Sequence, residues 1–127
     1  MINLRQNGRE GGAYMDEVFK IREVGKVVIV DLISELDRFS VLSIKNEIRT
    51  LLKKGSSKLV VNFQNIDHIN STIIGALVTL QHLARESGGD LRLCGLKDNI
   101  RRTFDLIGAS KILKIFDKEE EAIASYS

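Results

Sequence analysis

The residues of this sequence that could do chemistry gather in one short stretch, Ile66 to Val78, which reads IDHINSTIIGALV. It holds two adjacent hydroxyls, Ser71 and Thr72, with His68 a few residues before them. A serine near a histidine suggests a nucleophile and its base, but no glycine-flanked GxSxG turn surrounds Ser71. Only Asp67 is at hand to orient the base, and such near neighbours in a loop rarely align as a triad. A hydrolase using Ser71 and His68 is therefore a minor hypothesis.

The other reactive side chains are few and scattered. Cys94 lies in an apolar segment, LRLCGL, where we interpret it as a small buried hydrophobe. His68 and His82 stand far apart, and no CxxC or HExxH spacing accompanies them, so we predict no metal site. Neither a GxxxxGK[ST] loop nor a GxGxxG turn is present to cradle a nucleotide phosphate. We expect a protein that is not an enzyme and needs no cofactor.

The bulk composition fits one domain with an aliphatic core, because 127 residues are 43% hydrophobic. The 19 basic residues nearly balance the 17 acidic ones, and a net charge of +2 favours neither nucleic acid nor an anionic membrane as a partner. No signal peptide or apolar run of about 20 residues appears, so we expect a cytoplasmic protein without membrane insertion. Residues 1–14 are polar and rich in glycine, which predicts a flexible tail before a folded domain over 15–127.

The first elements of that domain are two strands and a helix. The segment from Val18 to Leu32 favours two strands joined tightly at Gly25. Apolar residues spaced three or four apart then predict an amphipathic helix, with Ser40 as its N-cap and Gly55 as its stop.

The stretch that carries the hydroxyls joins a strand to a helix. Lys58 to Phe63 is nearly all apolar, as expected of a strand covered on both faces of a parallel sheet. A second helix follows Thr72 and stops at Gly88-Gly89, and we predict Ser71 as its N-cap. A strand, a helix, a strand and a last short helix complete the order. This alternation predicts an α/β domain with a mixed, mainly parallel sheet of four to five strands and about four helices.

The position of Ser71 suggests a switch. In an alternating sheet, loops that leave the carboxyl ends of strands are where binding sites tend to lie. A phosphate on Ser71 would carry about −1.5 to −2 charges, which a helix N-terminus tolerates and an apposed acidic or apolar partner does not.

Three segments resemble the STAS domains of bacterial anti-sigma factor antagonists. SELD at 34–37 is similar to the family's GELD-like turn, and NSTIIGAL at 70–77 is similar to its D-S-[ST]-G-L-G-A-L segment. NIRRTFDLIGASKILKIFDKEEEAI at 99–123 matches the later helix, strand and helix. In order and at family spacing, these segments imply a STAS-like fold over nearly the whole domain.

The resemblance implies a phosphorylation-switched binding protein. Unmodified, such a protein sequesters an anti-sigma factor, which is also a serine kinase of the histidine-kinase-like ATPase type, and so frees a sigma factor. Phosphorylation by that kinase breaks the complex, and a PP2C-type phosphatase restores it. Ser71 matches the family's phosphorylated serine, with Thr72 as the reserve acceptor. Any ATP would belong to the kinase.

The partner is expected to bind around the junction, and the sequence leaves alternatives open there. Asp37 could equally be a turn residue that bonds its own backbone, and Gly75 could serve close helix packing. Asn70 and Ile73 replace the family's acid and glycine, which motivates a second hypothesis: a non-phosphorylated STAS subunit of a stress-signalling or lipid-transport complex. The residues expected to contact the partner are Asp37, Arg38, His68, Asn70, Thr72 and Gly75.

Overall fold

The computed structural model describes residues 18–127, which begin with an antiparallel hairpin of β1 (Phe19–Val24) and β2 (Val27–Leu32). The tight connection predicted at Gly25 is confirmed. Gly25 has a φ of 61°, a left-handed conformation that glycine adopts without the steric cost of a Cβ atom. The tail predicted for residues 1–14 lies outside the described residues.

Three further strands extend the sheet in sequence order, each parallel to its neighbour: β3 (Lys58–Asn62), β4 (Asp90–Cys94) and β5 (Ile115–Phe116). The intervening and final helices are α1 (Arg38–Lys53), α2 (Ser71–Glu86), α3 (Asp98–Ile107) and α4 (Glu119–Ala124), with a 3-10 turn at Ala109–Lys111. The prediction of an α/β fold with a mixed, mainly parallel sheet is therefore confirmed.

The strands bury both faces because alternate side chains point to opposite sides. Val28 and Val30 of β2 belong to the larger core, which the sheet shares with α1, α2 and α3. Val27 and Ile29 belong to a smaller core covered by α4. Three helices therefore occupy one side of the sheet and the short α4 occupies the other.

Helix α1 begins earlier than predicted, and the prediction that Ser40 is its N-cap is wrong. Asp37 is the N-cap, since its Oδ1 accepts hydrogen bonds from the Ser40 amide at 2.8 Å and the Ser40 hydroxyl at 2.9 Å. A carboxylate three residues ahead can satisfy a first-turn amide that Ser40, itself inside the helix, cannot reach. The stop at Gly55 is confirmed by its φ of 91° directly after the C-cap Lys54.

The chain end is fastened to the sheet on the α4 side. The Tyr126 hydroxyl lies 2.7 Å from the Leu59 carbonyl oxygen and 2.8 Å from that of Asp90, and burial raises its pKa. The Arg92 guanidinium lies 4.0 Å from the centre of the Tyr126 ring and donates to the Ser125 carbonyl at 2.8 Å. These contacts tie α4 and the last residues to β3 and β4.

Candidate functional site at the start of the second helix

The N-cap of α2 is Asn70, and the prediction that Ser71 caps this helix is wrong. Asn70 has extended backbone, and its side-chain oxygen accepts a hydrogen bond from the Ile73 amide at 2.9 Å. Its carbonyl oxygen accepts the Ile74 amide at 3.1 Å. Ser71 is instead the first helical residue, and its exposed hydroxyl makes no hydrogen bond within residues 18–127. The acceptor predicted from the family pattern is therefore free of a structural role in capping.

The helical repeat sorts the residues after Asn70 into an outer and an inner set. Ser71, Thr72 and Gly75 are exposed, whereas Ile73 and Ile74 are buried in the larger core. The bulk that Ile73 adds in place of a glycine therefore faces inward, where only 5% of the residue is exposed.

Gly75 lies in open space on the outer side of α2. A Cβ atom added there would meet nothing within 4 Å, so close helix packing is not the reason for a glycine at this position. Because Gly75 has no side chain, no group projects from the surface of α2 at this position, beside Ser71 and Thr72. The backbone of a partner could therefore approach α2 closely there.

The loop that leads into α2 is held by residues from two other segments. The Glu35 carboxylate accepts hydrogen bonds from the amides of Asp67 at 2.8 Å and His68 at 3.1 Å. The Asn99 side chain donates to the Asp67 carbonyl at 2.8 Å, and Lys97 forms an ion pair with the Asp67 carboxylate that lowers its pKa. Glu35 is a positioning residue that sequence reasoning noticed only as part of the SELD turn.

His68 is placed at the surface and does not approach Ser71 as a base would. Its side chain is 84% exposed, and its Nδ1 lies 3.6 Å from the Glu35 carboxylate. No hydrogen bond joins His68 to Ser71 anywhere in the described part of the chain. The structure thus lacks the nucleophile and base contact that the hydrolase hypothesis requires.

Cys94 is buried in β4, as predicted. Burial raises the pKa of its thiol to about 12, so the thiolate needed for nucleophilic attack is scarce at neutral pH. Cys94 therefore contributes to the small core rather than to a reactive site.

An open groove of about 490 Å³ lies between the first turns of α1 and α2. Four of the residues predicted to contact a partner line it together, although they come from segments more than thirty residues apart in the chain. His68, Gly75 and Ser71 are exposed but do not line it. The lining residues are Leu36, Asp37, Arg38, Val41, Leu42, Lys45, Asn70, Thr72 and Ile73.

Two cationic side chains and one carboxylate line this groove, so its net charge is positive. Hydrogen bonds from the Ser40 amide and hydroxyl lower the pKa of Asp37, whose carboxylate is thereby engaged in capping α1. Arg38 and Lys45 form no ion pair with any residue in 18–127. Their cationic groups are therefore available to an anionic partner.

Sequence reasoning did not predict a partner contact for five lining residues of this groove: Leu36, Val41, Leu42, Lys45 and Ile73. It also missed the exposed Phe39, which lies on α1 outside the lining. Phe39 is 78% exposed and Leu42 is 54% exposed. The signal that could have found them is their position off the buried stripe of α1, which Ile44, Ile48 and Leu51 form.

Residues 19–122 match the family model of the STAS domain. The chain belongs to the STAS domain family. The anti-sigma F factor antagonist of Paenibacillus polymyxa is 24% identical to this STAS domain over 98 residues, which are 76% of this chain and 84% of that protein.

Solved structures of similar proteins share this fold. A crystal structure of a candidate anti-sigma factor antagonist from Thermotoga maritima matches with a TM-score of 0.79 and 26% identity, over 85% of this chain and 93% of that one. The Bacillus cell fate determinant SpoIIAA, solved in its phosphorylated form, matches with a TM-score of 0.67 and 23% identity, over 86% of this chain and 99% of that one. Among residues 18–127, no helix combines the length and hydropathy needed to cross a membrane.

Proposed function

We propose that this STAS domain is an anti-sigma factor antagonist, which binds an anti-sigma factor in the bacterial cytoplasm and so frees a sigma factor. It acts by binding and not by catalysis. The names of its relatives support this function. The observation that carries it is the exposed Ser71, whose unbonded hydroxyl starts α2 beside an open groove. We propose Ser71 as a phosphorylation site and Thr72 as the reserve acceptor.

The start of α2 can accommodate a phosphate. Asn70 satisfies the Ile73 amide, while the amides of Ser71 and Thr72 make no hydrogen bond within the described range. The positive end of the helix dipole therefore faces the acceptor hydroxyl. Because the first turn of α2 contains no acidic residue, a phosphate on Ser71 meets no carboxylate within that turn.

A phosphate at this position would oppose partner binding. Arg38 and Lys45 make the neighbouring groove suited to a partner that carries negative charge. A phosphate of about −1.5 to −2 charges on Ser71 would then face like charge on that partner. Phosphorylation would weaken the complex, as the family pattern implies.

The two departures from the family pattern have structural explanations that leave the switch intact. Asn70 caps α2 as an acidic residue would, but without a charge next to Ser71. Ile73 fills the core. No observation therefore favours the alternative of a non-phosphorylated subunit in a stress-signalling or lipid-transport complex.

The proposed cycle has two enzyme partners. The anti-sigma factor is itself the serine kinase, of the histidine-kinase-like ATPase type, and a PP2C-type phosphatase removes the phosphate. Asp37, Arg38, Asn70 and Thr72 contribute to binding from the groove, and the exposed His68 and Gly75 contribute from beside it.

The test uses the purified chain, the anti-sigma factor encoded by the same genome and ATP, with the modified residue mapped by mass spectrometry. We expect one phosphate on Ser71 and none in the Ser71→Ala variant, with Thr72→Ala as the matched control. Calorimetric titration should show Ser71→Asp binding about 30-fold more weakly than Ser71→Ala, or about 2 kcal/mol.

Two results would count against the proposal in different ways. Absence of phosphate from both Ser71 and Thr72 removes the switch and leaves the antagonist function. Failure of the unmodified chain to bind the anti-sigma factor removes the antagonist function itself.

A further inference from the structure

We propose that Phe39 and Leu42 of α1 form an apolar contact surface that anchors the partner protein. The partner inserts an apolar side chain into the groove, and its acidic side chains pair with Arg38 and Lys45. The inference rests on the proposed antagonist function and specifies the chemistry of the partner. We call this surface the α1 lip; it consists of Phe39, Leu42, Arg38 and Lys45.

The apolar half of the α1 lip does not belong to either hydrophobic core of residues 18–127. Phe39 and Leu42 are three residues apart on one helix, so their side chains are neighbours on its surface. Helix α1 already buries its other face through Ile44, Ile48 and Leu51. Two large exposed hydrophobic side chains beside charged residues are typical of an interaction surface.

The groove offers room and an apolar floor next to the lip. Leu36, Val41 and Ile73 line it from α2 and from the segment around the start of α1. Its volume of about 490 Å³ exceeds that of any single side chain, so the groove has room for an aromatic or branched apolar residue.

The cationic half of the lip specifies the partner's charge. Arg38 and Lys45 both line the groove, and neither forms an ion pair within residues 18–127. The nearby Asp37 carboxylate is committed to Ser40. An apolar side chain flanked by carboxylates complements this surface in shape and in charge.

The lip is continuous with the proposed switch. Asn70 and Thr72, which flank Ser71, form the opposite wall of the same groove. A partner segment seated between the helices would place its carboxylates beside the first turn of α2. The anchor and the phosphate would therefore act on one partner segment, the anchor attracting it and the phosphate repelling it.

A second exposed apolar patch supplies the control. Leu106 is 81% exposed at the end of α3, and Ile107 and Ile112 lie close to it in sequence, at the end of α3 and just after the 3-10 turn. None of the three lines the groove. Truncation of Leu106 therefore removes exposed apolar surface away from the groove.

The test compares the full chain with Phe39→Ala, Leu42→Ala and Leu106→Ala in calorimetric titrations against the purified anti-sigma factor. Both lip variants should lose at least about 10-fold in affinity, as expected for interface anchors, while Leu106→Ala stays within about 2-fold. Arg38→Glu should weaken binding further and flatten its salt dependence, because it reverses a charge that attracts the partner. Unchanged thermal unfolding of all variants shows that the fold is intact.

The outcomes separate this inference from the function on which it rests. If the full chain binds and the lip variants bind equally well, the α1 lip is not the anchor and the antagonist function stands. Weaker binding of Leu106→Ala alone assigns the anchor to the end of α3. No binding by the unsubstituted chain overturns the antagonist function, and the inference with it.

Discussion

The two sides of the sheet differ in how their polar side chains are paired. On the α4 side, the Arg22 guanidinium donates hydrogen bonds to the carboxylates of Asp31 and Glu119. On the opposite side, Ser71 and Arg38 form no hydrogen bond with any side chain in residues 18–127. Burial raises the pKa of Asp31, but hydrogen bonds from Arg22 and Asn62 outweigh this effect, and the pKa lies below its usual range. The same pairing raises the pKa of the Arg22 guanidinium.

A second polar cluster, around Asp90 at the start of β4, is also fully paired. Asp90 accepts hydrogen bonds from Arg92 at 3.0 Å and Arg85 at 3.1 Å. Burial raises its pKa, and these bonds together with that of the Leu91 amide bring it below the usual range. Arg92 in turn holds the chain end through Ser125.

The contrast separates polar groups that stabilise the fold from those that are available to a partner. A partly buried charge that is fully paired contributes through its partners and offers little to an incoming protein. An exposed charge or hydroxyl without a partner contributes little to stability. Substitutions on the two sides should therefore affect different measurements.

The largest effect is expected from Asp90→Ala. Removing this carboxylate leaves the largely buried Arg92 without its only carboxylate partner in residues 18–127, and the free energy of unfolding should fall by about 3 kcal/mol. Urea denaturation measures the loss, and the affinity for the anti-sigma factor below the unfolding transition should not change.

The matched control for Asp90→Ala is Asp105→Ala. Asp105 pairs with Arg101 in an exposed i,i+4 arrangement, so its removal should lower the free energy of unfolding far less than removal of Asp90 does. Equal losses for the two variants would contradict the distinction between partly buried and exposed pairs.

A smaller effect is expected from Asn70→Ala. Asn70 stabilises the fold by capping α2 and also lines the groove proposed to bind the partner. Loss of the side-chain bond to the Ile73 amide should lower the free energy of unfolding by about 1 kcal/mol. Asn70→Asp keeps an acceptor at the same place and should restore stability. Chemical denaturation of the unsubstituted chain, Asn70→Ala and Asn70→Asp measures the free energy of unfolding of each. An unchanged value in Asn70→Ala would contradict the capping role.

The smallest effect is expected from Gly75→Ala on the partner side. Because open space surrounds the position, alanine should raise the free energy of unfolding by about 0.5–1 kcal/mol through helix propensity. The same methyl group should lower the affinity for the partner if close approach occurs there. Thermal unfolding measures the expected gain in stability, and calorimetric titration measures the expected loss of affinity.

Gly89→Ala is the control for Gly75→Ala. A Cβ atom on Gly89 would clash with the backbone of Ser57, so this variant should be destabilised. If Gly75→Ala were destabilised as well, this result would contradict the assignment of Gly75 to an exposed position without packing neighbours.

Sequence reasoning predicted the elements well and the caps poorly. The strands, the helices and the stops at Gly55 and Gly88 follow from hydrophobic spacing and glycine, which act locally. Both predicted N-caps were wrong, because Ser40 and Ser71 stand inside helices that begin after Asp37 and Asn70. Several residues near a helix start can accept its amides, and only the backbone path decides which one does.

The sequence by itself determined the order of strands and helices, the position of the hydroxyl pair at a strand-to-helix junction and the family resemblance. These properties depend on neighbours along the chain. Only the tertiary structure decided that Glu35 holds the loop at Asp67, that Ile73 faces the core and that α1 and α2 enclose a cationic groove. Each of these depends on groups that are distant in sequence and meet because the parallel crossovers place α1 beside α2.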